Sequence, residues 1–224
     1  MREAPTARCG KMIRSCSQAP ANTGISELLA AEKKGKSMKV KVPTLETERL
    51  TMRMWRRKDA PELYEYAKNP NVGPHAGWKP HSSVQESRMI ISQLFLVNMC
   101  WAIVLKETGR VIGSIGLEED RFRPDVKSRE LGYSLSEEYW GNGIMTEAAK
   151  RVIRHAFDEL GLDVLMIRTS ESNMRSQRVI EKCGFSYEGT LRKTYRIYDG
   201  SIREVRCYSM LRDEYEKFCR EGRL

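Results

Sequence analysis

Residues 139–149, YWGNGIMTEAA, are the most informative stretch of this sequence for its fold. Gly141 and Gly143 are separated by one residue and lie between an aromatic pair and an apolar run of helical periodicity. A strand pattern, RELGYSLS at 129–136, precedes them. The order strand, Gly-x-Gly loop and helix is suited to an anion, because the first N–H groups of a helix have no intrahelical acceptor and lie at the positive end of its dipole.

We therefore expect residues 140–145 to form a loop and Thr146 to begin the helix. Glycine has no Cβ, so the backbone can approach a phosphate closely. The same glycines would also serve a strand-to-helix turn with two positive φ angles, and the residues alone leave both interpretations open. Two better-known phosphate motifs are excluded: a Walker loop needs a Gly-Lys-Ser/Thr ending, and a dinucleotide fingerprint needs a third glycine where Thr146 stands.

The composition is that of an ordinary globular chain: 224 residues, 40% of them hydrophobic and 31% charged. No apolar run of about 18 residues occurs, so we expect no membrane partner. The six cysteines form no CxxC pair and no metal-ligand spacing with the three histidines, which predicts free thiols in a reducing, cytoplasmic compartment and no metal. The Lys and Arg residues behind the net charge of +9 form no tract, so charge alone does not decide between nucleic acid, a small polyanionic cofactor and simple solubility. We expect no specific nucleic-acid partner, and a nucleic-acid binder stays an alternative that rests on charge alone.

The first part of the chain differs from the rest. Residues 1–38 have no sustained apolar period and no apolar signal-peptide core. We expect a disordered leader there; a transit peptide and initiation at Met38 are the alternatives. Regular strand, helix and turn signals begin at Thr44, and the folded domain is expected over 39–224.

Outward from the glycines, the apolar periods predict one α/β domain with a mixed sheet. Strands are expected at 45–55, 129–136 and 164–170, and hairpins at 100–120 and 185–211, the second one turning at Asp199-Gly200. Helices are expected at 59–70, 84–97, 146–160 and 173–184. Asp59 is the expected N-cap of the first helix, and Gly161 the C-terminal cap of the third.

A second motif follows the strand VLMIRTS: Asn173, Ser176 and the ending EKCGF at 181–185. Asn173 is the expected N-cap of its helix. Together with WGNGIMTEA and the opening LETERLTMR, this NxxSxxxxEKxGF pattern resembles the GNAT superfamily of N-acetyltransferases. Within it, the chain is most similar to the Rim-type branch of ribosomal-protein N-terminal acetyltransferases. The resemblance runs from about Thr44 to Leu211.

The resemblance implies a single GNAT-type α/β domain. Its sheet would be mixed, mostly antiparallel and twisted, with about seven strands, helices on both faces and a central strand pair that splays apart. It also implies acetyl-CoA as cosubstrate, no metal, and direct transfer of the acetyl group to an amine. The pantetheine arm would lie in the gap between ELGYSL and VLMIRTS, where a strand amide would stabilise the oxyanion.

The resemblance further implies the roles of individual residues. Glu130 is the first candidate for the general base that takes the amine proton through water; a surface ion pair with Arg129 or Arg168 is the alternative. Ser176 would donate its hydroxyl hydrogen toward the departing thiolate. The expected cofactor-binding residues are Leu135, Ser136, Trp140, Gly141, Asn142, Gly143, Ile144, Met145, Thr146, Asn173 and Ser176.

Other polar residues receive smaller roles. Tyr133 and Tyr139 are weaker candidates for the hydroxyl donor and are expected mainly to pack. His75 and His81 are expected in a loop that shapes the acceptor pocket in such folds, with an ordinary loop role as the alternative. Cys183 precedes a helix cap and has no histidine near it in sequence, so we do not expect a cysteine nucleophile.

One departure from the family concerns the diphosphate loop, which usually reads Gln/Arg-x-x-Gly-x-Gly/Ala. Here Trp140 stands in the first position and Met145 in the last. The backbone amides of 141–146 are expected to bind the diphosphate, so these side-chain changes are tolerable, although Met145 would crowd the helix against the sheet.

The acceptor stays open between a protein N-terminal amine and a small-molecule amine, and so does the formation of a homodimer. The alternative from another class is a coenzyme A-binding module that has lost catalysis.

Overall fold

The computed structural model describes residues 42–224. The leader expected at 1–38 and the expected start of the domain at residue 39 lie outside this range. Within residues 42–224, no helix is both long enough and apolar enough to cross a bilayer.

The chain forms eight strands and five α-helices between residues 42 and 224. The strands are β1 (Leu45–Glu46), β2 (Leu50–Met54), β3 (Met99–Leu105), β4 (Val111–Glu119), β5 (Ser128–Leu135), β6 (Val164–Ser170), β7 (Ser186–Arg196) and β8 (Ile202–Leu211). The helices are α1 (Ala60–Ala67), α2 (Val84–Ile90), α3 (Ile144–Arg154), α4 (Met174–Cys183) and α5 (Arg212–Arg220). Short π-helical turns, Ile91–Phe95 and His155–Glu159, extend α2 and α3, and 3-10 turns lie at Arg57–Asp59, Gly73–Ala76 and Glu137–Tyr139.

All strands belong to one sheet of order β1-β2-β3-β4-β5-β6-β8-β7. Every neighbouring pair is antiparallel except β5 and β6, which are parallel. The expected mixed, mostly antiparallel sheet is confirmed. The stretch 45–55, expected as one strand, is two: the Thr47 hydroxyl accepts the N–H of Leu50 at 3.0 Å and forms a tight turn between β1 and β2.

The central strands β5 and β6 separate part of the way along their length. They pair from Ser128 opposite Val164 to Leu131 opposite Ile167, and no further. Beyond that point β5 stays paired with β4, and β6 with β8. Each strand therefore keeps its bonds on the outer side while a gap opens between them, which confirms the splayed central pair.

Helices cover both faces of the sheet, as expected. Trp101 and Ile103 of β3 belong to the core under α3, α4 and α5. Ala102 and Val104, one residue along, belong to the core under α1 and α2. This alternation is the two-residue period of a strand that is buried on both faces.

The structure corrects two expectations about helices. The helix after the glycines begins at Ile144, and Thr146 lies within its first turn. Ile144 and Met145 are only 4% and 6% exposed, so burial in the core draws them into the helix. Asp59 does not cap α1 with its side chain. Its carboxylate instead accepts from the N–H of Arg56 at 2.8 Å and from the guanidinium of Arg53 at 2.7 Å.

The helix α5 was not expected. Its sequence, RDEYEKFCR, has few apolar residues to reveal a helical period. Tyr215 is buried and stacks on Phe157 of the α3 extension, with ring centroids 4.6 Å apart. A tertiary contact with α3 therefore holds this helix in place.

Candidate active site

A cavity of about 910 Å³ opens at the gap between β5 and β6. The strands contribute Glu118 of β4, residues 130–135 of β5, part of β6, and Thr194 and Tyr195 of β7 to its wall. The rest of the wall is made by residues 139–141 and 143–146, one face of α4, and, at one end, Val72 and residues 75–77. The splayed strands thus create a long cleft that runs from the glycine loop to the β7–β8 hairpin.

The glycine loop forms one part of this wall. Gly141 and Gly143 have φ angles of 80° and 75°, in the left-handed region that L side chains disfavour. A Cβ on Gly141 would meet nothing within 4 Å, so backbone conformation, and not lack of space, requires glycine there. Gly143 is the N-cap of α3, and the first turn of that helix, residues 144–146, lines the cavity. Both positive φ angles and an anion-suited helix end are present in the same loop.

The side chains of Ile144 and Met145 point into the core, which leaves their backbone to face the cavity. Arg49, in the turn between β1 and β2, connects this turn to the loop. The Arg49 guanidinium donates to the carbonyl of Asn142 at 3.0 Å and to the carboxylate of Glu147 at 2.6 Å. Asn142 is exposed and lies outside the cavity wall, so only its backbone has a structural role in the loop.

The end of β5 presents main-chain groups to the gap. The N–H of Ser136 donates to the carbonyl of Ile112 at 2.8 Å and continues the ladder with β4. Because bonding alternates along an antiparallel strand, the N–H groups of Tyr133 and Leu135 point to the opposite side, toward the gap. Leu135 lines the cavity as expected, whereas Ser136 does not, and the amide of Ser136 is paired with β4.

Two hydroxyl groups meet where α4 approaches β5. The side chain of Asn173 accepts the N–H of Ser176 at 3.1 Å, which confirms Asn173 as the N-cap of α4. The hydroxyl of Ser176 lies 2.9 Å from that of Tyr133, and both residues line the cavity. Burial raises the pKa of Tyr133, so its hydroxyl stays protonated at neutral pH and can donate.

Glu130 and Arg168 form an ion pair in the cavity wall. The guanidinium of Arg168, on β6, donates to both carboxylate oxygens of Glu130, on β5, each at 2.8 Å. This is the pairing with Arg168 that was the alternative to a role as base. Both oxygens of Glu130 therefore accept charge-assisted bonds before any substrate is present.

A second carboxylate, Glu118, lies directly opposite Glu130 across the β4–β5 pair. It lines the cavity, and no hydrogen bond or ion pair holds its carboxylate among residues 42–224. Glu118 is exposed to solvent at the cavity, and partial desolvation there, together with the neighbouring charge of Glu130, raises its pKa. The sequence did not identify this residue, because only the strand register places it beside Glu130.

The three histidines have different surroundings. His75 lines the cavity, and desolvation with the nearby charges of Arg175 and Arg203 lowers its pKa. His81 is buried away from the cavity, with its Nδ1 atom 2.8 Å from the Ser87 hydroxyl. His155 is buried against the edge of Trp101. Of the two histidines expected to shape the acceptor pocket, His75 lines the cavity and His81 does not.

Cys183 is 1% exposed, and burial raises the pKa of its thiol to about 12. A thiol in that environment stays protonated and has no path to a substrate. Within residues 42–224, no group of His, Cys, Asp and Glu side chains is arranged to hold a metal ion.

Most of the predicted site residues meet at one cavity. Those in its wall are Glu130, Leu135, Trp140, Gly141, Gly143, Ile144, Met145, Thr146, Asn173 and Ser176. Ser136 and Asn142 lie just outside it. Tyr133, a weaker candidate for the hydroxyl donor, belongs to the wall as well, and so do Glu118 and Arg175, which the sequence did not single out.

Comparison with known proteins agrees with this architecture. The model of the acetyltransferase (GNAT) domain family matches residues 49–186. The chain is 31% identical over 177 residues to the uncharacterized N-acetyltransferase p20 of Bacillus licheniformis, a match that covers 77% of this chain and 98% of p20.

Solved structures share the fold. An acetyltransferase of the GNAT family from Bacillus anthracis superposes with a TM-score of 0.69 at 21% identity, covering 77% of this chain and all (100%) of that chain. The ribosomal-protein-S5-alanine acetyltransferase from Vibrio fischeri superposes with a TM-score of 0.64 at 24% identity, covering 78% of this chain and 99% of that chain. At these identities the likeness concerns the fold.

Proposed function

This chain belongs to the acetyltransferase (GNAT) family and is an acetyl-CoA-dependent acyltransferase, and from that premise we propose that its acceptor is a primary amine, on a protein N-terminus or a small molecule. One observation carries the proposal: Glu118 and Glu130 lie side by side in the cavity wall. Carboxylates attract an ammonium group and can remove its proton.

The residues present suit acetyl-CoA. The amides of 141–146, at the N-terminus of α3, offer donors and positive potential to a diphosphate. The N–H of Leu135 on β5 points into the gap and can pair with an amide-containing arm, while its carbonyl already accepts the indole N–H of Trp140. Asn173 and Ser176 lie across the gap on α4. The cosubstrate supplies an activated acetyl group when bound at this cleft.

Proton removal from the amine requires a base, since only the neutral amine is a nucleophile. Glu130, the candidate from the sequence, remains a candidate, but Arg168 occupies both of its oxygens. We assign the proton acceptor to Glu118, whose raised pKa brings its basicity closer to neutral pH. Glu130 then contributes negative charge beside it and, through Arg168, fixes the wall.

Protonation of the leaving thiolate requires a donor on the other side of the gap. Ser176 is in place for this role, and Tyr133 supports it through the 2.9 Å contact between the two hydroxyl groups. A proton given up by Ser176 can be replaced from Tyr133, whose raised pKa keeps it protonated. The contribution is modest because a thiol is already a tolerable leaving group.

The test is a thiol-release assay with acetyl-CoA across small amines and peptides with free N-termini, followed by mass measurement of the acetylated product. We expect release with at least one class, and loss of rate in Ser176→Ala with little change in coenzyme A affinity. Ser172→Ala, in the turn before α4 and outside the cavity wall, is the matched control. If no acceptor releases thiol while the protein binds coenzyme A, the chain is a binding module and the proposal fails.

A further inference from the structure

Trp140 occupies the loop position where related loops carry Gln or Arg, and its only polar atom points inward. The indole N–H donates to the carbonyl of Leu135 at 3.0 Å, and the ring packs against both hydrophobic cores. The side chain at this position therefore offers no donor to an anion in the cavity.

The missing cation is supplied from another element. The guanidinium carbon of Arg175, the second residue of α4, lies 4.1 Å from the centroid of the Trp140 ring. A guanidinium stacked on tryptophan is attracted to the ring while its N–H groups stay available at the edges. Arg175 lines the same cavity as the glycine loop.

The charges near Arg175 are mostly positive; the carboxylate of Glu137 also acts on it, but that carboxylate is hydrogen-bonded to the side chains of Asn69 and Asn71. Arg178 and Lys182, three and seven residues along α4, also line the cavity and lie on the same helical face. Among the ion pairs formed within residues 42–224, none involves Arg175, Arg178 or Lys182. Three cations on one side of a cavity, opposite the positive end of α3, make a surface complementary to an anion with several charges.

We infer that Arg175, held in place on the face of Trp140, is a binding residue for the nucleotide diphosphate of the cosubstrate. The guanidinium from α4 replaces the side chain that the glycine loop lacks, so the diphosphate is held between two elements. This inference rests on the use of acetyl-CoA and is independent of which amine is acetylated.

The experiment measures calorimetric dissociation constants for coenzyme A, adenosine diphosphate and pantetheine. We expect Arg175→Ala to weaken coenzyme A and adenosine diphosphate by about 10-fold or more, and Arg175→Lys by less, because lysine keeps the charge but not the planar fork. Pantetheine, which lacks the nucleotide, should bind the variants and the wild type alike. Trp140→Leu should reproduce the loss for adenosine diphosphate, because the guanidinium loses its support.

Arg192→Ala is the charge-matched control, since Arg192 is exposed on β7 and outside the cavity wall. It should change each constant by less than about twofold. The inference is overturned if Arg175→Ala matches Arg192→Ala for coenzyme A, or if pantetheine binding falls in parallel, which would indicate a general distortion of the cleft. Failure of the wild type to bind coenzyme A would overturn the acetyl-CoA assignment together with this inference. Absence of an amine acceptor alone would leave the Arg175 result intact.

Discussion

The two glycines of the loop differ in their surroundings but share a left-handed backbone. At Gly143 the φ of 75° places the first N–H groups of α3 at the cavity, and a Cβ there would approach the guanidinium of Arg49 at 3.7 Å. At Asn142, between them, only the carbonyl is engaged. The chemistry of this loop therefore depends on backbone geometry more than on side chains.

Gly143→Val should abolish coenzyme A binding or weaken it by about 10-fold or more, because a β-branched residue resists positive φ and removes aligned donors. Asn142→Ala should bind within about twofold of the wild type, since its side chain makes no contact with the cavity wall. Calorimetric titration with coenzyme A measures both. Normal binding by Gly143→Val would refute this account of the glycines.

The roles of the two carboxylates can be separated by pH. A base acts in its ionised form, so the rate should fall as pH decreases through the raised pKa of Glu118. Glu118→Gln should lower kcat by about 100-fold and remove this acidic limb. Glu130→Gln removes the neighbouring charge that helps to raise the pKa of Glu118. In this variant the fall in rate at acidic pH should therefore occur at lower pH than in the wild type.

The measurement is kcat/KM against pH for the wild type and the two variants, with whichever amine proves to be an acceptor. The opposite result, in which Glu118→Gln keeps the limb and Glu130→Gln loses it, would restore Glu130 as the base.

At the scale of elements, the start of α3 is fastened to the β1–β2 turn through Glu147. Its carboxylate accepts the Thr47 hydroxyl at 2.5 Å, the Arg49 N–H at 3.0 Å and the Arg49 guanidinium at 2.6 Å. Burial works to raise the pKa of Glu147, but these bonds outweigh it and the pKa is lowered. Arg49 also donates to the Asn142 carbonyl. We call the bonded set of Thr47, Arg49 and Glu147 the clamp, and through Arg49 it also fixes the glycine loop.

A pKa lowered by folding contributes stability above the unfolded value of about 4.3, and this contribution is lost as pH falls through the folded pKa. Glu147→Gln should therefore cost about 1–2 kcal/mol of unfolding free energy at neutral pH, and the difference from the wild type should shrink below about pH 4. Urea unfolding over a pH series tests this, with exposed Glu48→Gln as the control. A difference that stays constant with pH would show that the clamp is not electrostatic.

At the scale of the whole molecule, α5 closes the face formed by α3 and α4. Gly184 ends α4 with a φ of 84°, and a Cβ at this position would overlap the ring of Phe218 on α5. The side chains of Lys150 and Arg154 on α3 donate to the carbonyls of Arg223 and Leu224. The end of the chain is thus part of the packed domain.

Gly184→Ala should cost about 3 kcal/mol or more, because the left-handed strain of about 1–2 kcal/mol adds to displacement of the Phe218 ring. Gly200→Ala is a matched control: its φ is 85°, but a Cβ would meet nothing within 4 Å. It should carry only the backbone strain. Thermal unfolding of both variants gives the difference, and equal costs would show that α5 does not pack on Gly184 as described.

Some residues of the site could be predicted from the sequence because they belong to local patterns, and others could not. Gly141, Gly143, Asn173 and Ser176 belong to local patterns, a loop before a helix and a helix cap, so their positions could be predicted. Ser136 was placed in the site because it adjoins Leu135, but the alternation of the β4–β5 ladder turns its amide to the other side. One residue along a strand reverses the direction, and register is set by pairing across the sheet.

Glu118, Arg175 and the contact between Tyr133 and Ser176 show what sequence patterns could not reveal. Glu118 and Glu130 are neighbours because β4 and β5 pair in one register. The hydroxyl groups of Tyr133 and Ser176 meet because α4 packs across the gap, and Arg175 reaches Trp140 for the same reason. The order of elements from β2 to β8, the glycine loop and the Asn173 cap of α4 follow from the sequence alone, since these depend on local periodicity, capping and backbone freedom. The set of carboxylate, hydroxyl and guanidinium groups that share the cleft follows from the tertiary structure, because those contacts join residues far apart in the chain and depend on strand register and helix packing.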